Sequence, residues 1–162
     1  MRFSLEAAHR YDPTQSEPIQ GLAELAMEEK RDGDAIDALR KLAALEQHDR
    51  KVHRILLEKL VEQKAWDEAV KLGESAVFVD VLSADVHIAY ARALLGKGMN
   101  DRALYELDTV LVMQPKDKGA AVVHALMAKA HLAKKDLAEA KKHRDQALSL
   151  DKDSADALEL KL

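Results

Sequence analysis

Cysteine is absent from this 162-residue chain, which excludes disulfides, thiolate metal sites and cysteine nucleophiles. Aromatic residues make up only 4%, with three prolines and six glycines. Sheets draw on aromatic and β-branched residues, so this scarcity leaves helix as the default. Long apolar runs are missing as well. The longest, Ala120 to Ala128, is interrupted by His124 and is far too short to span a bilayer. No apolar core follows a basic start at Met1, so no signal peptide and no membrane partner are expected, and the compartment stays open. A strong excess of one charge is lacking too: 25 basic and 29 acidic residues give a net charge of -4. Tracking a phosphate backbone requires a clustered basic surface, and the short run Lys141, Lys142, His143, Arg144 reads as a solvated helix face. No nucleic-acid partner is expected.

What is present is helix-forming material in a repeating order. Hydrophobic residues account for 48% and charged residues for 33%, the mix of a packed chain with a charged surface. A Val-His pair recurs at Val52-His53, Val86-His87 and Val123-His124. The histidines lie 34 and then 37 residues apart, and Ala69, Ala103 and Ala140 keep the same two steps. A fixed period in this range marks a helical solenoid. His87, Tyr90, Ala91 and Leu94 fall at i, i+3, i+4 and i+7, one stripe of a helix. His53, Leu56, Leu57 and Leu60 repeat it, as do His124, Met127, Ala128 and His131. Second helices are predicted over Asp67–Phe78, Asp101–Met113 and Leu137–Leu150, with Gly98 or Lys134-Lys135 turning the chain between partners.

These residues resemble the tetratricopeptide repeat family, whose pattern is W-x2-L-G-x2-Y, then A-x3-F, then P. In the clearest unit His87 stands for the Trp, Tyr90 for the Leu, Ala91 for the Gly and Leu94 for the Tyr. Ala103 takes the Ala place, Leu107 the Phe and Pro115 the Pro, while Gly73 and Arg144 replace the usual aromatic in neighbouring units. The resemblance implies an all-α fold, a right-handed alpha-alpha superhelix of about four helix-turn-helix units.

A single repeat domain over 1–162 is expected, with units at about 16–49, 50–83, 84–117 and 121–154 and a three-residue insertion at Lys118-Gly119-Ala120. In the first unit "GDAIDAL" is placed three residues late, which predicts a first helix nearly one turn longer and a short exit loop. Residues 1–15 read as the end of a preceding unit and 155–162 as the start of a further helix. Solenoids close with capping helices, so the chain is expected to be a piece of a larger protein.

Equivalent side chains of stacked units point the same way, on helices offset by about 8–10 Å. His53, His87 and His124 therefore cannot surround one ion and are read as packing residues, as is His131. His9, His48 and His143 look like helix-end or surface residues. No His-Glu-x-x-His, phosphate loop or G-x-S-x-G is present, so no enzyme activity, metal or cofactor is expected.

Advancing 100° per residue from the packed stripe gives a second face of each first helix. In the family that face lines the concave groove where peptides lie. Here it carries Lys51, Arg54 and Glu58, then Ile88, Arg92 and Leu95, then Ala125, Lys129 and Leu132. Unit one contributes Glu17, Gln20, Glu24 and Met27. Apolar residues alternating with Arg54, Arg92 and Lys129 suit a protein or peptide segment presenting acidic and apolar groups. The carboxylate clamp of chaperone-binding members is not expected, because the matching places hold Arg54, Glu58, Ala89, Val122 and Leu126. A non-enzymatic interaction scaffold is the first reading. A non-catalytic appendage of a larger enzyme, such as a protease or transferase, is the alternative.

Overall fold

Four alanines at the repeat spacing, Ala35, Ala69, Ala103 and Ala140, are 0% exposed, and each opens a helix that packs closely against its neighbours. In the computed structural model, which describes residues 1–160, every regular element is an α-helix. By its internal contacts the chain divides into two compact units, Met1–Gln63 and Lys64–Leu162. The last two residues of the further helix expected over 155–162 lie outside the described residues.

The first unit holds α1 (Arg2–Tyr11), α2 (Ser16–Glu28), α3 (Asp32–Leu45) and α4 (Arg50–Glu62), each packed against the next. Its core is Ile19, Ala23 and Ala26 of α2, Ala35, Ile36, Leu39 and Leu42 of α3, and Leu56, Leu57 and Leu60 of α4. No residue of α1 is fully buried, and Leu5 covers Gly21 of α2.

The second unit holds α5 (Trp66–Val79), α6 (Ala84–Gly96), α7 (Asn100–Val112), α8 (Asp117–Ala133), α9 (Leu137–Leu150) and the one-turn α10 (Ala155–Leu158). Successive helices from α5 to α9 pack in order, α6 also touches α8, and α10 sits against α8 and α9. Its most buried side chains include Val86, Tyr90, Leu94, Leu107, Val110, Val123 and Leu126.

The turns carry the period in their backbone. Lys30, Lys64, Gly98 and Lys135 have φ of 56°, 55°, 72° and 64°. Their steps of 34, 34 and 37 are those of the four buried alanines. A left-handed residue ends a helix by turning its own and the next N–H back onto the last carbonyls. Lys30 donates to the Met27 carbonyl and Arg31 to that of Ala26; Gly98 donates to Leu95 and Met99 to Leu94; Lys135 donates to Leu132 and Asp136 to His131. Only one of these four turn residues is glycine, which is why the turns are faint in the sequence.

This regularity corrects the expectation for the first unit. α2 has 13 residues, as α4 and α6 do, and no added turn. Ala35, one turn ahead of Ala38, is the residue at the repeat step, so "GDAIDAL" is in register and the α3–α4 loop is no shorter than the α5–α6 loop.

The only tryptophan, Trp66, lies against Gly96 at the end of α6. A Cβ on Gly96 would come 2.4 Å from the indole Cδ2. Gly96→Ala is therefore expected to push the ring off α6 toward water. Intrinsic fluorescence reads this directly as a red shift of the emission; an unchanged spectrum would contradict the contact.

Candidate functional site

On α6 and α8 the second face predicted from helix phase brings two cations to one carboxylate. Arg92 Nη2 lies 2.7 Å from Asp156 Oδ2, and Lys129 Nζ lies 2.6 Å from Asp156 Oδ1. Asp156 belongs to α10, which is held by Ala157 packed with Ala125 and Ala147 in a fully buried cluster. Burial pushes the Asp156 carboxyl up, but the hydrogen bonds and charges of Lys129 and Arg92 outweigh it and hold it below the ordinary 3.8. Around this triad Ile88, Leu95 and Leu132 are half-buried, leaving apolar surface beside the charges.

The other predicted groove residues fall differently. Ala125 is 0% exposed beneath α10, so it is core and not lining; a short α10 covering that part of α8 could not be read from helix phase alone. In the first unit Arg54 pairs along its own helix with Glu58 at 3.3 Å, and Lys51 is exposed. Gln20, Glu24 and Met27 of α2 meet Lys51 and Ile55 of α4 in a shallow cleft closed by Glu46 and Asp49. Its polar lining is mainly acidic, with Lys51 as its one cation among the described residues.

The histidines make specific contacts. His53 is buried with Nδ1 2.8 Å from the Asp49 carbonyl. His87 is buried between α6 and α7, with Nδ1 2.6 Å from Glu106 Oε2 and Nε2 3.1 Å from the Val81 carbonyl. His124 on α8 meets His143 on α9 through their Nδ1 atoms, 3.0 Å apart, so one nitrogen donates while the other accepts. The His143 ring stacks between His124 and His131, with centroid distances of 5.2 and 5.5 Å.

His143 is thus not a surface residue. Its side chain is only 12% exposed, and it follows His124 by 19 residues, the separation of His87 and Glu106. That shared spacing was the available signal, since it places residues 106 and 143 opposite the histidine of the preceding helix. His9, also expected at the surface, has a buried Nδ1. Among the described residues no group of three or more His, Cys, Asp or Glu side chains is arranged to hold a metal ion.

Burial lowers the pKa of His124 below 6.5. Burial does the same to His143, helped by His124, His131 and Lys142 and opposed by Glu139. A histidine with a depressed folded-state pKa takes up its proton first in the unfolded chain. Stability from this pair is therefore complete above pH 6.5 and lost as pH falls through the lower folded-state values. Calorimetry from pH 7.5 downward is expected to show Tm falling once the pH drops below 6.5, with a shallower slope in His143→Asn.

No protein-family model and no curated protein matches the sequence. Solved structures do match, over nearly the whole chain. YrrB, a TPR protein with an unusual peptide-binding site, superposes with a TM-score of 0.84 at 19% identity, covering 95% of this chain and 78% of that one. MamA gives 0.79 at 20% identity over 99% and 86% of the two chains. MamA of MSR-1 gives 0.80 at 22% over 95% and 87%. Among the described residues no helix is long and apolar enough to cross a membrane. With helices packed in sequential pairs and turns repeating at the same step, the chain has the fold of the tetratricopeptide repeat proteins.

Proposed function

We propose that this chain is a non-enzymatic binding module that holds a protein or peptide segment of mixed acidic and apolar character against its first helices. In the second unit the segment lies on the face of α6 and α8 that carries Ile88, Arg92, Leu95, Lys129 and Leu132. Lys51, Arg54 and Glu58 on α4 form a second contact area in the first unit. The observation that carries this reading is the convergence of Arg92 and Lys129, from separate helices, on a single carboxylate. Two cations set to grip one carboxylate select acidic side chains, and the apolar residues beside them supply burial. The peptide-binding site of YrrB, a similar fold, favours the same class of activity.

The test is a fluorescence-anisotropy titration with a short labelled peptide of alternating leucine and glutamate, against one of leucine and lysine. Charge reversal would set new carboxylates beside Asp156, so Arg92→Gln with Lys129→Gln is the cleaner variant. The acidic peptide is expected to bind in preference, and the double variant to lose at least about tenfold in affinity, equal to about 1.4 kcal/mol. Equal binding of both peptides, or no loss in the variant, would overturn the reading.

A further inference from the structure

The cleft between α2 and α4 in the first unit has a chemistry opposite to that of the Arg92 and Lys129 face. We infer that it receives the arginine or lysine side chain of a partner segment, with apolar residues of that segment resting on its lips. This inference rests on the reading that the first helices hold a segment, and adds that the first unit selects a charge opposite to the one the second unit selects.

Size sets the kind of occupant. The cleft has a volume of about 80 Å³, far below the roughly 300–1,000 Å³ of a pocket that encloses a small molecule. It has room for one side chain. Leu39 and Leu42 of α3 are fully buried beneath it, and Met27 of α2 and Ile55 of α4 stand half-buried on either side. An apolar floor and apolar lips favour a hydrocarbon stem over a short polar group.

Charge then selects among the side chains that fit. Glu24, Glu46 and Asp49 line the cleft against Lys51 alone, so three negative charges meet one positive. Glu24 is exposed and the other two half-buried, which puts all three at the mouth. Among the described residues none of them is paired with a cation. Glu24 accepts from the neutral Gln20 amide at 3.0 Å, and Asp49 accepts the Val52 N–H at 2.9 Å through Oδ1, which leaves Oδ2 for a ligand. An acidic residue entering here is repelled, and a purely apolar one takes water from the carboxylates without replacing it. Lysine and arginine satisfy both halves of the cleft: the apolar stem lies along the floor and the charged head stays at the carboxylates. Arginine fits best, because its planar fork donates two parallel bonds to one carboxylate.

Titrating the full chain with acetyl-Leu-Arg-Leu amide, followed by amide chemical shifts, tests this against acetyl-Leu-Glu-Leu amide. The arginine tripeptide is expected to shift the Met27 and Ile55 amides saturably, and the glutamate tripeptide to leave them unmoved. One arginine meets only this cleft, so its affinity stays below that of the longer leucine–glutamate peptide. Glu24→Gln with Glu46→Gln is expected to weaken the arginine tripeptide at least about tenfold, equal to about 1.4 kcal/mol, whereas Arg92→Gln with Lys129→Gln leaves it unchanged. In the unaltered chain, added salt is expected to weaken it severalfold, because both charges stand near solvent. Equal shifts from both tripeptides, or affinity indifferent to salt and to the glutamine pair, would overturn the inference. If Met27 and Ile55 stay still while the leucine–glutamate peptide moves Ile88 and Leu132, the cleft falls and the binding face stands. If no first-helix amide responds to any peptide, both fall.

Discussion

Replacing Gly73 with alanine is expected to destabilise the chain by about 1–2 kcal/mol, even though alanine is the better helix former. The gain in helix propensity is about 1 kcal/mol. Against it, a Cβ at position 73 would lie 2.2 Å from Tyr90 Cδ2 and 2.7 Å from Cγ. Tyr90 cannot simply step aside. It is 2% exposed, its hydroxyl is hydrogen-bonded to Arg102, and that guanidinium also sits 5.9 Å from the ring centroid. Overpacking a tight site costs about 1–3 kcal/mol, sometimes more, so the clash outweighs the propensity. Thermal unfolding is expected to show Tm lowered by about 2–8 °C. Gly73→Leu is expected to cost more still. Because one ring is responsible, the penalty of Gly73→Ala is expected to shrink by at least half in a Tyr90→Leu background. Equal penalties in both backgrounds would contradict the contact.

Leu107→Ala is the second large effect. Leu107 occupies in α7 the place that Gly73 occupies in α5, and it is 0% exposed. Truncating a buried leucine loses its transfer free energy and leaves a cavity, about 2–5 kcal/mol in all. Val112 on the same helix is 82% exposed, and Val112→Ala is expected to stay within about 0.5 kcal/mol. Urea unfolding of both variants measures the contrast, and similar losses would contradict the placement of α7's buried face.

The same pair of positions explains how far the sequence could be read. Period and stripe were visible because the alanines and histidines recur every 34 or 37 residues. Those signals located the helices to within a residue or two, as at α5 and α7. What they could not carry was exchange of bulk between neighbours. Gly73 looked like a lost aromatic, whereas Tyr90 of the next helix fills the space above it.

The register slip in the first unit has a similar origin. Ala35 and Ala38 are both buried on α3, so the alanine pattern alone admitted two alignments. The left-handed Lys30, one repeat before Lys64, resolves them. At the candidate site helix phase put Arg92 and Lys129 on one face. It did not pair them with Asp156, although α10, Ala155–Leu158, lies where the further helix was expected to start. Nor could it reveal that α10 covers Ala125.

Ligand binding in the second unit is expected on the α6 and α8 face around Arg92 and Lys129. Amide chemical-shift mapping during titration with the leucine–glutamate peptide tests it most directly. Shifts are expected to concentrate at Ile88, Arg92, Leu95, Lys129 and Leu132, with further shifts in α10. Shifts confined to α5, α7 and α9, around exposed residues such as Phe78 and Tyr105, would contradict it.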